Sequence, residues 1–600
     1  AIEGNSATAP FNDLLVITSG TGNVTFTGAI GATNALGGLT VNESSGNGDI
    51  TFTSTIGDTG NAGVVGTTSI GNANTADLNF NSTIYSFDGA TTITAASGDN
   101  IDIGAVADTT FTTAADNITF ATANIELADG SDLTVDTGAA GGNITIGEID
   151  GDSVETVTLD AGSGTTSVGV IGTGTEIGAV SIGSAENGGI TLNGAITTDG
   201  AVTIDGPVTL ATGAISVTTA NDAITFNHTI DGAQALTLVS GTAATTITGN
   251  IGAGTALTGL TITNGTANGT ITFGGNIGDG SGAGVEGTTS IGNANTADLN
   301  FNSTIYSFDG ATTITAASGD NIDIGAVADT TFTTAADNIT FATANIELAD
   351  GSDLTVDTGA AGGNITIGEI DGDSVETVTL DAGSGTTSVG VIGTGTEIGA
   401  VSIGSAENGG ITLNGAITTD GAVTIDGPVT LATGAISVTT ANDAITFNHT
   451  IDGAQALTLV SGTAATAIQG EIGGNTAISS LTITNGTANG TIEISNIGGV
   501  TGATAIGNTN TGTITLDGTA YTTTGTQTYT AATGQNIDIT GAATFTTTNS
   551  NIAFNTSGVD LANNGTTTIN TGAGAGTVTF GAAIEGNSAT APFNDLLVIT

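Results

Sequence analysis

Residues Gly66 to Thr245 return letter for letter as Gly287 to Thr466, each numbered 221 higher, and Ala1 to Thr18 return as Ala583 to Thr600, each numbered 582 higher. A chain that copies itself at a fixed period folds by stacking equivalent units, because each unit buries its apolar face only against its neighbours. The repeats occupy 66–286 and 287–507, a diverged and shortened copy fills about 508–582, and 583–600 restarts the opening. The sequence predicts one continuous solenoid over 1–600, uncapped, in a native polypeptide that continues past both ends.

Beneath these periods runs a two-residue beat. Segments such as Val24-Thr25-Phe26-Thr27, Ile118-Thr119-Phe120, Val202-Thr203-Ile204 and Ile271-Thr272-Phe273 alternate apolar with polar residues, the pattern of half-buried strands whose side chains point alternately inward and outward. Clusters of Gly, Asn, Asp and Ser between them supply tight turns. The first apolar positions Leu133, Ile144, Val157, Val168, Val180, Ile190 and Val202 recur at short, nearly even intervals. Two such segments per turn give rungs of about 20–24 residues, which predicts an all-β fold, a parallel β-helix or solenoid. Phe26, Phe52, Phe80, Phe120, Phe226 and Phe273 fall on inward positions and are expected to stack along the axis. An antiparallel meander would use the same beat, but it does not explain an extendable array.

The charge balance excludes several functions. The 600 residues hold 56 Asp plus Glu and no Lys or Arg, for a formal charge of -56. Nucleic acid and anionic membranes are thereby excluded as partners, since both are bound through basic residues. No apolar run is long enough for a membrane helix, so membrane insertion is not expected. Self-repulsion calls for counterions, with Ca²⁺ or other divalent cations the best suited to oxygen-rich surfaces. Cys, Met and Trp are absent too, and a chain without sulfur, Lys or Arg offers little to oxidants and nothing to trypsin.

Few residues suggest chemistry. His228 and His449 are one position in two identical copies, and they read as a surface site beside Asn227 and its copy. Without Cys, Lys or Arg, most nucleophilic and phosphoryl-transfer schemes lose a participant, and no enzyme activity is expected. Glycoside hydrolysis needs only two carboxylates, for which Glu148, Asp150, Asp152 and Glu155, repeated as Glu369, Asp371, Asp373 and Glu376, are the candidates. The same residues, with Asp129 and Asp132, are the candidate metal ligands through turn oxygens, against a reading as solvated turns; no cofactor other than such cations is implied. Asn23, Asn81, Asn117, Asn143 and Asn264 head N-x-Thr sequons, a pattern that a turn Asn before a strand Thr also produces. Outward Thr rows invite an ice-binding reading, but a uniform T-x-T face is not evident in the sequence.

Segments such as GGLTVNESSGNGDITF at 37–52 and TGLTITNGTANGTITFGGNIG at 258–278 resemble the repeat regions of giant bacterial exoproteins, the filamentous haemagglutinin-like and autotransporter-adhesin β-helices. The resemblance covers the whole chain in style, and it implies a right-handed parallel β-helix exposed at the cell surface. The total lack of basic residues departs from adhesins of that kind that bind heparin-like polymers. The sequence therefore predicts an extracellular structural filament, rod or sheath component whose partner is itself, end to end and side to side. A stalk of a surface adhesin is the alternative, and ice-binding or polysaccharide-active β-helices come behind both.

Overall fold

The computed structural model describes residues 1–5, 9, 11–104, 107–186, 188–266, 268–325, 328–407, 409–487, 489–561, 565–586 and 595–600, in two compact units, Ala1–Asn300 and Phe301–Thr600. The described residues are strands, turns and bends with no helix. The expected parallel β-solenoid is what they form, because an alternating segment one rung further on meets its predecessor in the same direction and in register.

In the first unit the chain passes through three parallel sheets in each turn, called A, B and C in the order of passage. Sheet A runs from Leu14–Ser19 through Gly38–Glu43, Thr68–Ile70 and Thr91–Thr94 to Val208–Leu210 and Ile230–Asp231. Sheet B takes in Val24–Phe26, Gly48–Phe52, Thr75–Phe80 and Asn100–Ile103, and later Ile215–Thr219, Ala235–Ser240 and Gly259–Thr263. Sheet C includes Ile84–Ser86, Thr109–Thr112, Leu133–Asp136, Thr156–Asp160, Ala179–Gly183, Val202–Asp205, Ile224–Phe226, Thr245–Ile247 and Gly269–Phe273.

Three passes per turn correct the expected two. The segments counted in the sequence are those of sheets A and C, whereas the passes through sheet B are short there, and those around Ile149 and Ile171 continue the sheet A strand itself. Ile118–Leu127 pairs with sheet A at Ile118 and with sheet B at Ile125, bending between Phe120 and Asn124. Thr122 makes that corner at φ 69°, a strained conformation for a β-branched residue. Its hydroxyl offsets the strain by donating to the Ala95 carbonyl of the previous rung at 2.5 Å. Rung length also varies more than expected: the turn that brings Val208 over Ile190 is short, and the turn that brings Thr68 over Leu39 is longer by about three-fifths. The additions are corner loops that leave the stacked residues in place.

The second unit has the same construction. One sheet begins at Ile305–Phe308 and ends at Ile584–Gly586. Another runs through Thr312–Thr315 and Val429–Leu431, and the third through Asn321–Ile324 and Ile436–Thr440. At Thr343, φ 70° and a 2.5 Å bond to the Ala316 carbonyl repeat the Thr122 corner.

Inward residues fill each coil. The six expected phenylalanines are all buried, and Phe26, Phe52 and Phe80 stack with ring centroids 4.8 and 5.3 Å apart, close to the spacing of neighbouring strands. The tyrosines are buried as well. The Tyr85 hydroxyl accepts from the Ser82 amide at 2.9 Å and donates to the Phe52 carbonyl at 3.4 Å, so its polar end is satisfied inside the core. At the corner after Ile30, Gly31 takes φ +64°, and a Cβ there would collide with the carbonyl oxygen of Gly63 on the next rung.

Candidate functional site: the acidic ladder and its hydroxyl neighbours

In a parallel in-register sheet, residues one rung apart stand directly over one another, so every outward position becomes an axial row. Sheet C carries an unbroken hydroxyl row: Thr110, Thr134, Thr158, Ser181, Thr203, Thr225, Thr246 and Thr272. Sheet A carries another, from Thr40 and Ser69 through Thr92, Thr119, Thr145, Ser167 and Thr191 to Thr209. The central position on these faces is therefore uniform, which the uneven spacing in sequence concealed.

Sheet B differs. Its row runs Asn79, Asp102, Glu126, Asp150, three carboxylates in succession with no cationic side chain near them. Burial pushes the Asp102 carboxyl up to about 6, and the charges of Asp77, Glu126 and Asp49 add to the effect. In the second unit Asp323, Glu347 and Asp371 repeat the row, and a further row joins Asp538, Asp560 and Glu585. Burial, then the charge of Asp560, raises Asp538. Glu176 is raised by a hydrogen bond shared with Asp199, by burial and by that neighbour's charge, and Glu397 is raised in the same way by Asp420. Sequence reasoning missed these pairs, although a spacing of one rung between acids was the available signal.

The candidate metal ligands divide into distinct roles. Glu155 is fully buried; its Oε1 accepts from the Gly130 amide at 2.8 Å and its Oε2 from the Asp152 amide at 2.6 Å. Burial alone would raise this carboxyl, but the backbone donors outweigh it and hold Glu155 below the ordinary range. Asp150 accepts from the Gly174 amide at 2.9 Å and from Asn124 Nδ2 at 3.0 Å. Asp132 accepts from the Thr156 amide at 2.7 Å. Glu148 lies half-buried, and Asp129 and Asp152 are exposed. The second copy matches: Glu376 accepts from the amides of Gly351 at 2.9 Å and Asp373 at 2.5 Å, and Asp371 from Gly395 at 2.9 Å, with Glu369 half-buried. The structure thus brings the Asp129–Asp132 and Asp150–Glu155 loops together, through carboxylate-to-amide bonds. Among the described residues no three His, Asp or Glu side chains gather as a group able to hold a metal ion.

Polar turn side chains act in the same way elsewhere. Asn117 Oδ1 accepts from the Asn143 amide at 2.8 Å, and Asn143 Oδ1 from the Thr165 amide at 3.0 Å, which extends the inter-rung ladder beyond the strands. Asn264 is fully buried and donates to the Ser240 carbonyl at 3.1 Å, so this sequon is an interior hydrogen-bonding site that a glycan could not reach in the fold. His228 Nε2 lies 3.4 Å from Asp205 Oδ1 on the previous rung, and His449 repeats this with Asp426 at 3.3 Å. No helix among the described residues is long and apolar enough to cross a membrane.

Comparison with known proteins yields no matching family model, no matching curated protein and no matching solved structure. The arrangement itself is chemically legible: hydroxyl rows suited to hydrogen bonding with water, flanked on sheet C by Asp136, Asp160 and Asp205, and on sheet B a row of carboxylates suited to protons and cations.

Proposed function

We propose that the chain is the rod-forming part of an extracellular structural filament or sheath that lengthens by stacking rungs. The observation that carries this reading is the in-register parallel stack, in which identical repeats add turns without requiring a larger core. The carboxylates support it: in a protein with no Lys or Arg, inter-rung backbone amides take the role that cations take elsewhere, so acidity is tolerated within a stable body. Absence of Cys and Met suits a durable exposed material. Electron microscopy of the native material tests the proposal. Long continuous fibres are expected; isolated rods ending in a distinct tip would favour the adhesin stalk, and compact particles would overturn both.

A further inference from the structure

Sheet A of the first unit presents an outward face free of charge over successive rungs, in a chain with 56 Asp plus Glu. The row Thr92, Thr119, Thr145 and Ser167 runs up its middle. Strand alternation puts Ala90, Asn117, Asn143 and Thr165 on one side of that row, and Thr94, Ala121, Gly147 and Gly169 on the other. Thr191 and Thr209 continue it, the first between Gly189 and Asn193 and the second between Pro207 and Ala211. The acids stand on the other faces: Asp136, Asp160 and Asp205 beside the row of sheet C, and Asp102, Glu126 and Asp150 on sheet B. Ala90, Thr92, Asn117, Asn143, Thr145 and Gly147 are all exposed, so this face is open.

We propose that sheet A is an ice-binding face, whose ligand is the crystalline surface of water itself. Spacing favours it. Hydroxyls one rung apart stand about 4.8 Å from each other, and two hydrogen bonds of about 2.8 Å meeting at a tetrahedral water span about 4.6 Å. Successive Thr hydroxyls therefore take the places of second-neighbour oxygens in a tetrahedral lattice. The face is also flat and stiff: no side chain on it is longer than Asn, Thr is restricted at χ1, and Asn117 and Asn143 are held by next-rung amides at 2.8 and 3.0 Å. Charge completes the match, because a carboxylate binds a hydration shell of its own, and none stands here to hold water out of the lattice. A protein partner would call for aromatic or large apolar anchors, which this face lacks. Ice binding goes beyond the rod reading and does not depend on filament formation.

Partition of the full chain into slowly grown ice, with inhibition of ice recrystallisation as a second readout, tests this. The protein is expected to be enriched several-fold in the ice over the remaining liquid. The second unit repeats the row at Thr340 and Thr366, so the variant carries Thr119→Tyr, Thr145→Tyr, Thr340→Tyr and Thr366→Tyr together. Tyr is uncharged and favours strands; it breaks the flat face, and the variant should be excluded from ice with its melting temperature unchanged. Glu126→Gln on sheet B should partition like the original. Exclusion of the unaltered chain from ice, undiminished partition of the Tyr variant, or adsorption to cellulose with none to ice would each overturn the proposal. The rod reading survives all three, since electron microscopy decides it separately.

Discussion

Sheets C and B of the first unit follow the same alternating beat, yet the central outward row of sheet C stacks hydroxyls, with Asp136 over Asp160 beside it, whereas that of sheet B stacks carboxylates. A parallel stack multiplies whatever it carries. On sheet C the hydroxyl row extends without a break from Thr110 to Thr272, because a neutral side chain adds no repulsion to the one below. On sheet B the run stops at three acids, Asp102, Glu126 and Asp150; burial first, and then the charges of Asp77, Glu126 and Asp49, push Asp102 up to about 6. The second unit shows both cases on one sheet: Thr331 to Thr446 are hydroxyl residues, after which Ala467, Glu493 and Thr515 lead to Asp538, Asp560 and Glu585. Acids buried against backbone amides form a further class. Like charge in an axial row is a cost, whereas a single carboxylate holding two amides is a clamp.

The largest effect should come from opening that clamp. Glu155→Ala leaves the Gly130 and Asp152 amides without their acceptor, and a loss of about 1–3 kcal/mol is expected, with faster hydrogen exchange at those two amides. An unchanged exchange rate would show that Glu155 pins nothing.

The pH profile separates clamp from ladder. The folded-state value of Asp102, about 6, exceeds its ordinary 3.8, so the native state binds more protons between those limits and stability falls as pH rises through that window. Glu155 and Glu376 lie below their ordinary value, so their stabilisation is present above it and is lost on further acidification. Melting temperature should therefore rise from pH 7 to about pH 5 and fall below about pH 4; a monotonic profile would contradict the division.

Glu126→Gln removes the central charge of the ladder. It should stabilise the protein at pH 7 by about 0.2–1 kcal/mol, the scale of a directly opposed like-charge pair, and bring the Asp102 titration down when followed by NMR. The smallest effect belongs to the neutral row: Thr203→Val on sheet C should change stability by no more than about 0.5 kcal/mol, measured by chemical denaturation.

Much of the fold was legible because its determinants are local. Alternation placed Phe26, Phe52 and Phe80 inside, and exact repetition implied stacking. The third sheet was not legible, since a pass such as the one around Ile149 occupies a few residues at the end of a longer strand, Ile144–Asp150, with no turn before it. The role of Glu155 was hidden for another reason: its partner Gly130 lies a full rung upstream, and only rung register brings them together. The ladder of Asp102, Glu126 and Asp150 was concealed likewise, because acids a rung apart look unrelated until the rung length at that point is known.

Parallel rung stacking is tested most directly by paired cysteines, which the cysteine-free chain makes clean to read. Thr134 and Thr158 stand in register on sheet C, whereas Thr145, nearer to Thr134 in sequence, lies on sheet A of the same unit. Under mild oxidation Thr134→Cys with Thr158→Cys should form a disulfide, neighbouring strands being within bridging distance, while Thr134→Cys with Thr145→Cys should remain reduced. The reverse outcome, with the pair close in sequence joined and the pair one rung apart free, is what antiparallel hairpins would give, and it would contradict the solenoid.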